Sequence, residues 1–164
     1  MNTNTAAYWI EHLQLQPHPE GGYYKEVFRS EMEVTGNDSF QFKRACTSIY
    51  YLLEGNDYSG FHRISSDEIW YFHKGSPLHI HVIDESGDHL PLELSDTATG
   101  NLSLAVKAGL WFAAEIPSAT GFTLVSCAVA PGFEFSEFEM ADRGKLEALY
   151  PQHSEIINKL SRQL

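Results

Sequence analysis

Short runs of Val, Ile, Leu, Tyr, Phe and Thr fill the middle of the chain, and longer amphipathic spacings occupy its two ends. The runs Tyr23–Arg29, Thr47–Leu53, Tyr58–Arg63, Glu68–His73, Leu78–Ile83, Leu102–Val106, Trp111–Ala114 and Phe122–Ala130 read as strands. Turn-forming stretches separate them, among them "EGND", "ISSD", "HKGSP", "DESGDH", "TATGN", "PSATG" and "APGF". Many short strands with no long helices between them predict an antiparallel sandwich or barrel, not a parallel α/β sheet. Thr5 is placed to cap a helix over "AAYWIEHLQL", with Trp9, Ile10 and Leu13 on one face and Pro17 and Pro19 stopping it. Asp142 is placed to cap "RGKLEALY", Pro151 to break that helix, and Ser154 to cap "EIINKLSRQL", whose apolar face is Ile156, Ile157 and Leu160.

At 164 residues the chain suits one domain spanning 1–164, and 43% hydrophobic residues suffice for a packed core. A formal net charge of −11 argues against nucleic acid or an anionic membrane surface as partner. Cys46 and Cys127 lie in apolar runs far apart and read as buried, inert thiols; a disulfide is the alternative. No apolar segment reaches the ~20 residues that span a bilayer. "MNTNTAAYWIEHL" has neither the basic nor the apolar part of a signal peptide, so a cytoplasmic location is expected.

The stretch "GFHRISSDEIWYFHKG", Gly60 to Gly75, carries the candidate chemistry. A short turn brings His62 on one strand close to Glu68 on the next. Alternation along a strand puts Glu68, Trp70 and Phe72 on one face. If the aromatic pair lies inside, Glu68 lies inside with it, and a buried carboxylate needs a cation or a hydrogen-bond donor. His62 is the expected partner. The competing reading is a His–Glu pair with a structural role only.

The spacing of His62, Glu68 and Gly75 resembles the first motif of the cupins, G-x5-H-x-H-x3,4-E-x6-G. Ile64 stands at the second His position. "VKAGLWFAAE" resembles the middle of the second motif, with Gly109 matching, Lys107 in place of Pro and Phe112 in place of the ligating His. Two of the usual four metal ligands are therefore carried over, where a firm divalent site takes three or more. Longer strings, "LQLQPHPEGGYYKEVFRS", "GFHRISSDEIWYFHKG" and "LVSCAVAPGFEFSEFEMADR", are similar to one branch of the cupin superfamily without an assigned reaction. The resemblance implies an all-β jelly-roll (double-stranded β-helix) barrel with short N- and C-terminal helices, and a homodimer.

"PEGGYYKEVFR" resembles the D-x-R-G-x-F-x-E segment of the metal-free dTDP-sugar 3,5-epimerases, cupin-fold enzymes that use a histidine as base on the strand matching His62. The arginine is absent, with Gly21 and Gly22 in its place, and the paired glycines equally fit a bulge or a turn before an edge strand. Glu20 and Tyr24 are candidate ligand contacts in this segment; separately, Arg29 and Arg44 are candidates to bind an anionic group, although scattered arginines are usually surface residues. Trp70, Phe72, Trp111 and Phe112 are candidate apolar walls. The general acid would come from Tyr50, Tyr51 or Tyr71. "LHIHVI" sets His79 and His81 on one face, opposite Leu78, Ile80 and Val82; the apolar face reads as core, and His73 also reads as outward. "PGFEFSEFEM" reads as a structural lip carrying Phe133, Phe135 and Phe138.

The expectation is a metal-independent isomerase or epimerase acting through His62 and Glu68 on a small, sugar-like or anionic molecule, with no cofactor. Two alternatives stand beside it. One is a divalent-metal enzyme using His62 and Glu68 with His79 or His81; the other is a module that binds a small ligand without reacting it.

Overall fold

The structure, a computed structural model, describes residues 5–35 and 42–162. Helix α1 (Ala6–Leu13) leads into β1 (Gln16–Pro17) and β2 (Tyr23–Arg29), followed by the hairpin of β3 (Glu33–Thr35) and β4 (Phe42–Arg44). Then come β5 (Thr47–Glu54), β6 (Tyr58–Arg63), β7 (Asp67–Gly75), β8 (Leu78–Ile83), β9 (His89–Leu94), β10 (Ser103–Val106), β11 (Trp111–Glu115), β12 (Phe122–Ala130) and β13 (Glu139–Met140). Helices α2 (Arg143–Leu149) and α3 (Ser154–Leu160) close the described chain.

The strands form two antiparallel sheets. One runs β1-β2-β5-β12-β7-β10 and the other β13-β6-β11-β8-β9, so sequence neighbours such as β5 and β6 lie in different sheets. This is the jelly-roll arrangement, which limits exposed edges by doubling the sheet. Side-chain alternation divides each strand between two packing environments. From β5, β7 and β12, Tyr51, Leu53, Trp70, Val125 and Cys127 face inward, and from β8 and β11 Leu78, Ile80, Val82, Phe112 and Ala114 meet them. The outer face of the second sheet, Phe61, Ile83, Trp111 and Ala113, is sealed by Leu146 of α2 and by Ile157 and Leu160 of α3. The outer face of the first sheet is covered in part by α1, with Ala6 and Leu15 against Leu52, Phe122 and Leu124.

Thr5 caps α1 through its side chain, accepting from the Tyr8 N–H, and Asp142 caps α2, accepting from the Lys145 N–H. Ser154 does not cap α3: it is the first helical residue, behind a Pro151–His153 turn, and His153 holds the cap position. Strand β9 and the β3–β4 hairpin depart from the expected pattern. β9 contains Pro91, which a sequence pattern reads as a break; at the edge of the sheet a missing N–H costs no ladder bond. No helix among the described residues is long and apolar enough to cross a membrane.

Ile157 is fully buried where α3 meets the second sheet. Ile157→Ala is expected to cost about 3 kcal/mol by leaving a cavity there, read as a lower urea midpoint at unchanged slope. A loss below about 1 kcal/mol would mean that α3 does not seal this face.

Candidate functional site

At one end of the space between the sheets is a cavity of about 280 Å³. His62 reaches it from β6, Glu68 from β7, Cys127 and Val129 from β12, and Glu20 from the loop between β1 and β2. Glu20, Glu68 and His62 are 6, 8 and 3% exposed, so each polar group depends on what the protein puts beside it.

The partner of His62 is Glu20, not Glu68. The imidazole Nε2 lies 3.1 Å from Glu20 Oε2, and Glu68 forms no ion pair with it. The β6–β7 turn brings Glu68 into the same cavity but not to the ring. His62 Nδ1 is 2.7 Å from the Gly60 carbonyl. A carbonyl only accepts, so Nδ1 carries a hydrogen. Nε2 is then the ring nitrogen that faces the Glu20 carboxylate. The ring is also braced at 4.1 Å between centroids by Phe112 and at 5.2 Å by Phe138.

Glu20 reaches this position through a tight backbone path. Gly21 has φ +116° and Gly22 φ +69°, conformations that glycine adopts at no steric cost. A Cβ at Gly21 would fall 2.1 Å from the Tyr58 carbonyl, and one at Gly22 would fall 2.5 Å from the Leu52 carbonyl. The paired glycines thus allow a close crossing, in a turn where the Gly21 N–H donates to the His18 carbonyl at 3.0 Å. The loop is tied down on every side. Gly60 donates to the Glu20 carbonyl at 2.9 Å, Tyr51 Oη to the Gly21 carbonyl at 2.7 Å, and the Gly22 N–H to Asp57 Oδ2 at 2.8 Å. Arg162, after α3, donates to the Glu20 and Tyr58 carbonyls and to Asp57, with its guanidinium over the Tyr58 ring.

His18 adds a second imidazole. Its Nδ1 accepts from the Glu20 N–H at 3.2 Å, which leaves the hydrogen of the neutral ring on Nε2. Burial holds its pKa below the ordinary value against the pull of Glu20. Glu68 is pushed up to about 8, first by burial and then by the charge of Glu20. It is therefore a neutral acid at pH 7. Burial and the charge of Glu68 also raise the Cys127 thiol well above its usual range, so this free cysteine stays protonated.

Several expected contacts lie elsewhere. Trp111 and Phe112 are adjacent in β11 and cannot share a face: Phe112 packs inward, and Trp111 points out under α2 and α3 with Arg63 4.5 Å above its ring. Trp70 is buried in the core behind the cavity, edge-on to Tyr51 and Phe112. Phe72 packs against the same core further along β7. Arg44 lies on the β3–β4 hairpin, 3.4 Å from Glu33 and bonded to the Glu31 carbonyl, and does not line the cavity. Tyr50 and Tyr71 project from the outer face and Tyr51 is committed to Gly21, so none of the three is placed as the acid. Tyr24 and Arg29 do line the cavity. Arg29 is doubly bonded to Glu26 at 3.0 and 2.8 Å and bonded to Glu134 at 2.8 Å, so its charge is already neutralised.

The residues do not fit a divalent ion. Ile64 lines the cavity and Phe112 backs it at two positions where motif histidines would stand. Among the described residues no group of three or more His, Cys, Asp or Glu side chains is arranged to hold a metal. His79 and His81 project from the opposite side of β8 to Leu78, Ile80 and Val82, and so away from His62 and Glu68. His81 is buried there between Glu115 at 3.3 Å and His89 at 2.9 Å.

Two facing antiparallel sheets, with a histidine and a carboxylate at the motif positions of one open end, define a cupin. The chain belongs to the cupin superfamily (DUF985), whose family model matches residues 7–141. It is similar to a hypothetical protein from Leishmania major at 36% identity, covering 98% of this chain and 100% of that one, with a TM-score of 0.90. It is similar as well to protein SO0799 from Shewanella oneidensis, at 38% identity, 98 and 99% coverage and a TM-score of 0.87. Oxalate decarboxylase from Bacillus subtilis shares the fold, with a TM-score of 0.55 at 15% identity over 90% of this chain and 40% of that one. No curated protein matches the sequence.

Two expectations follow. Glu68 binds its proton more tightly in the folded chain than in the unfolded one, whose pKa is near 4.5. Its contribution is therefore full below about pH 4.5 and is lost as pH rises towards 8, at a slope approaching about 1.4 kcal/mol per pH unit. Glu68→Gln, which cannot ionise, should gain stability relative to wild type as pH rises from 5 to 8. A difference independent of pH would contradict the buried-acid assignment. His81, lowered to about 4, acts with the opposite sign between pH 6.5 and 4 in both proteins and cancels from the comparison. Arg162→Gln should cost about 2 kcal/mol through its lost charged hydrogen bonds and weaken ligand binding, because the loop carrying Glu20 loosens. Unchanged melting and binding would show that the loop holds itself.

Proposed function

We propose that the protein is a metal-independent proton-transfer enzyme, of isomerase or epimerase type, acting on a small polar carbonyl compound held in the cavity. The observation that supports this is the 3.1 Å approach of His62 Nε2 to Glu20 Oε2, with the other ring nitrogen anchored on the Gly60 carbonyl. Such a pair accepts or returns a proton without reorienting the ring, which is what general acid–base catalysis asks of a positioned imidazole.

Four groups divide the work. His62 takes the proton from the carbon beside the carbonyl. Glu20 stabilises the resulting imidazolium. Neutral Glu68 is an acid able to hydrogen-bond an oxygen that gains negative charge, and Tyr24, which also lines the cavity, offers a second donor. At about 280 Å³ the cavity is at the small end of ligand sites, roughly 300–1,000 Å³, which favours a molecule of monosaccharide size over a nucleotide sugar.

The test is solvent exchange. Small aldoses, ketoses and amino sugars are incubated with the protein in deuterated water and followed by proton NMR. Deuterium should enter beside the carbonyl of at least one class of compound. His62→Gln should slow that exchange by about 10²–10⁴-fold, with Glu20→Gln shifting its pH profile. Absence of exchange from the whole panel, with binding retained, would favour a ligand-binding module instead.

A further inference from the structure

The cavity carries more negative than positive charge, and its wall is aromatic. Glu20, Glu26 and Glu68 line it, with Arg29 as the one Lys or Arg side chain among its described lining residues. Arg29 is committed to Glu26 and to Glu134 at the rim. An incoming anion would find no free guanidinium and would face three carboxyl groups, so the expectation of an anion-binding arginine fails here.

On the open side, Phe133, Phe135 and Phe138 pack within 5.0 to 6.4 Å of one another. His18 joins them at 6.3 Å, stacked on Phe135, and Tyr24 meets His18 at 4.5 Å. Phe135 lines the cavity and is 53% exposed, so part of its side chain is accessible to whatever enters. Glu68 is more buried, and among the described residues its neighbouring donors are the Cys127 thiol and the Trp70 indole, with no cation beside it. Aromatic faces carry negative potential, and rings beside carboxylates attract a soft cation.

We infer that the cavity takes a small organic cation, an ammonium-bearing molecule whose charged group sits between the phenylalanine wall and the carboxylates of Glu20 and Glu68. This names the substrate class of the proposed enzyme, and it rests on that reading only in sharing the cavity. A cation seated there opposes the burial that keeps Glu68 protonated, so binding at neutral pH releases a proton.

The test uses choline with two matched analogues, neutral 3,3-dimethylbutan-1-ol and anionic 3,3-dimethylbutanoate, titrated calorimetrically into the full chain in buffers of differing ionisation enthalpy. Choline should bind about tenfold more tightly than the alcohol, the share expected of a cation over aromatic rings, and the carboxylate most weakly. Phe135→Ala, at an exposed position outside the core clusters, should remove most of that preference. Proton release should accompany choline binding in wild type and vanish in Glu68→Gln. Equal binding of alcohol and choline, tighter binding of the carboxylate, choline binding without proton release, or no binding of any of the three would overturn the inference. Choline bound by a protein that exchanges no deuterium would sink the proton-transfer reading and leave this one standing; exchange confined to neutral sugars would do the reverse.

Discussion

The chemistry of this molecule depends on one backbone crossing. Glu20 is brought to His62 because the chain at Gly21 and Gly22 passes closer to the Tyr58 and Leu52 carbonyls than any residue with a Cβ can. Strands alone would not achieve this, since β2 begins only at Tyr23 and Glu20 belongs to no sheet. The loop gains its precision from outside itself, from Tyr51, Asp57, Gly60 and Arg162. A carboxylate taken out of water is costly unless its position is fixed against a donor, and here four separate segments fix it.

A second consequence is a division of labour between two carboxyl groups in one cavity. Glu20 has imidazoles beside it and can carry charge. Glu68 has the apolar interior behind it and the Glu20 charge in front, and both favour its proton. Placing two titratable groups in contrasting environments is the usual way to have an acid and a base available at the same pH. Fixing His62 through its Nδ1 serves the same end, because only one nitrogen is then free to exchange its proton.

The fold was largely legible in the sequence because each long strand is two-faced. Four runs, Tyr23–Arg29, Tyr58–Arg63, Leu78–Ile83 and Phe122–Ala130, coincide with strands at both ends. Alternation also placed Glu68 inside with Trp70, and His79 with His81 opposite the core. What was not legible was long-range. His62 and Glu68 are near in sequence, so spacing suggested a pair, whereas the ring's partner, Glu20, lies 42 positions upstream. No period or motif reports such a meeting, although "PHPEGG" did mark the segment. Naming Trp111 and Phe112 together as cavity walls ignored the alternation that served elsewhere. The "PGFEFSEFEM" phenylalanines were read as a lip because rings beside acids usually mark a core bordering solvent; here the same pattern borders a cavity.

Arg162 marks where the roll stops and the pocket's support begins. It lies 142 residues downstream of Glu20 yet grips that residue's carbonyl. Both sheets and helices α1 to α3 precede it in the sequence. Clipping the chain after Leu160 would therefore spare the packed layers and remove one donor from the loop under His62, so the architecture and the readiness of its pocket are separable properties.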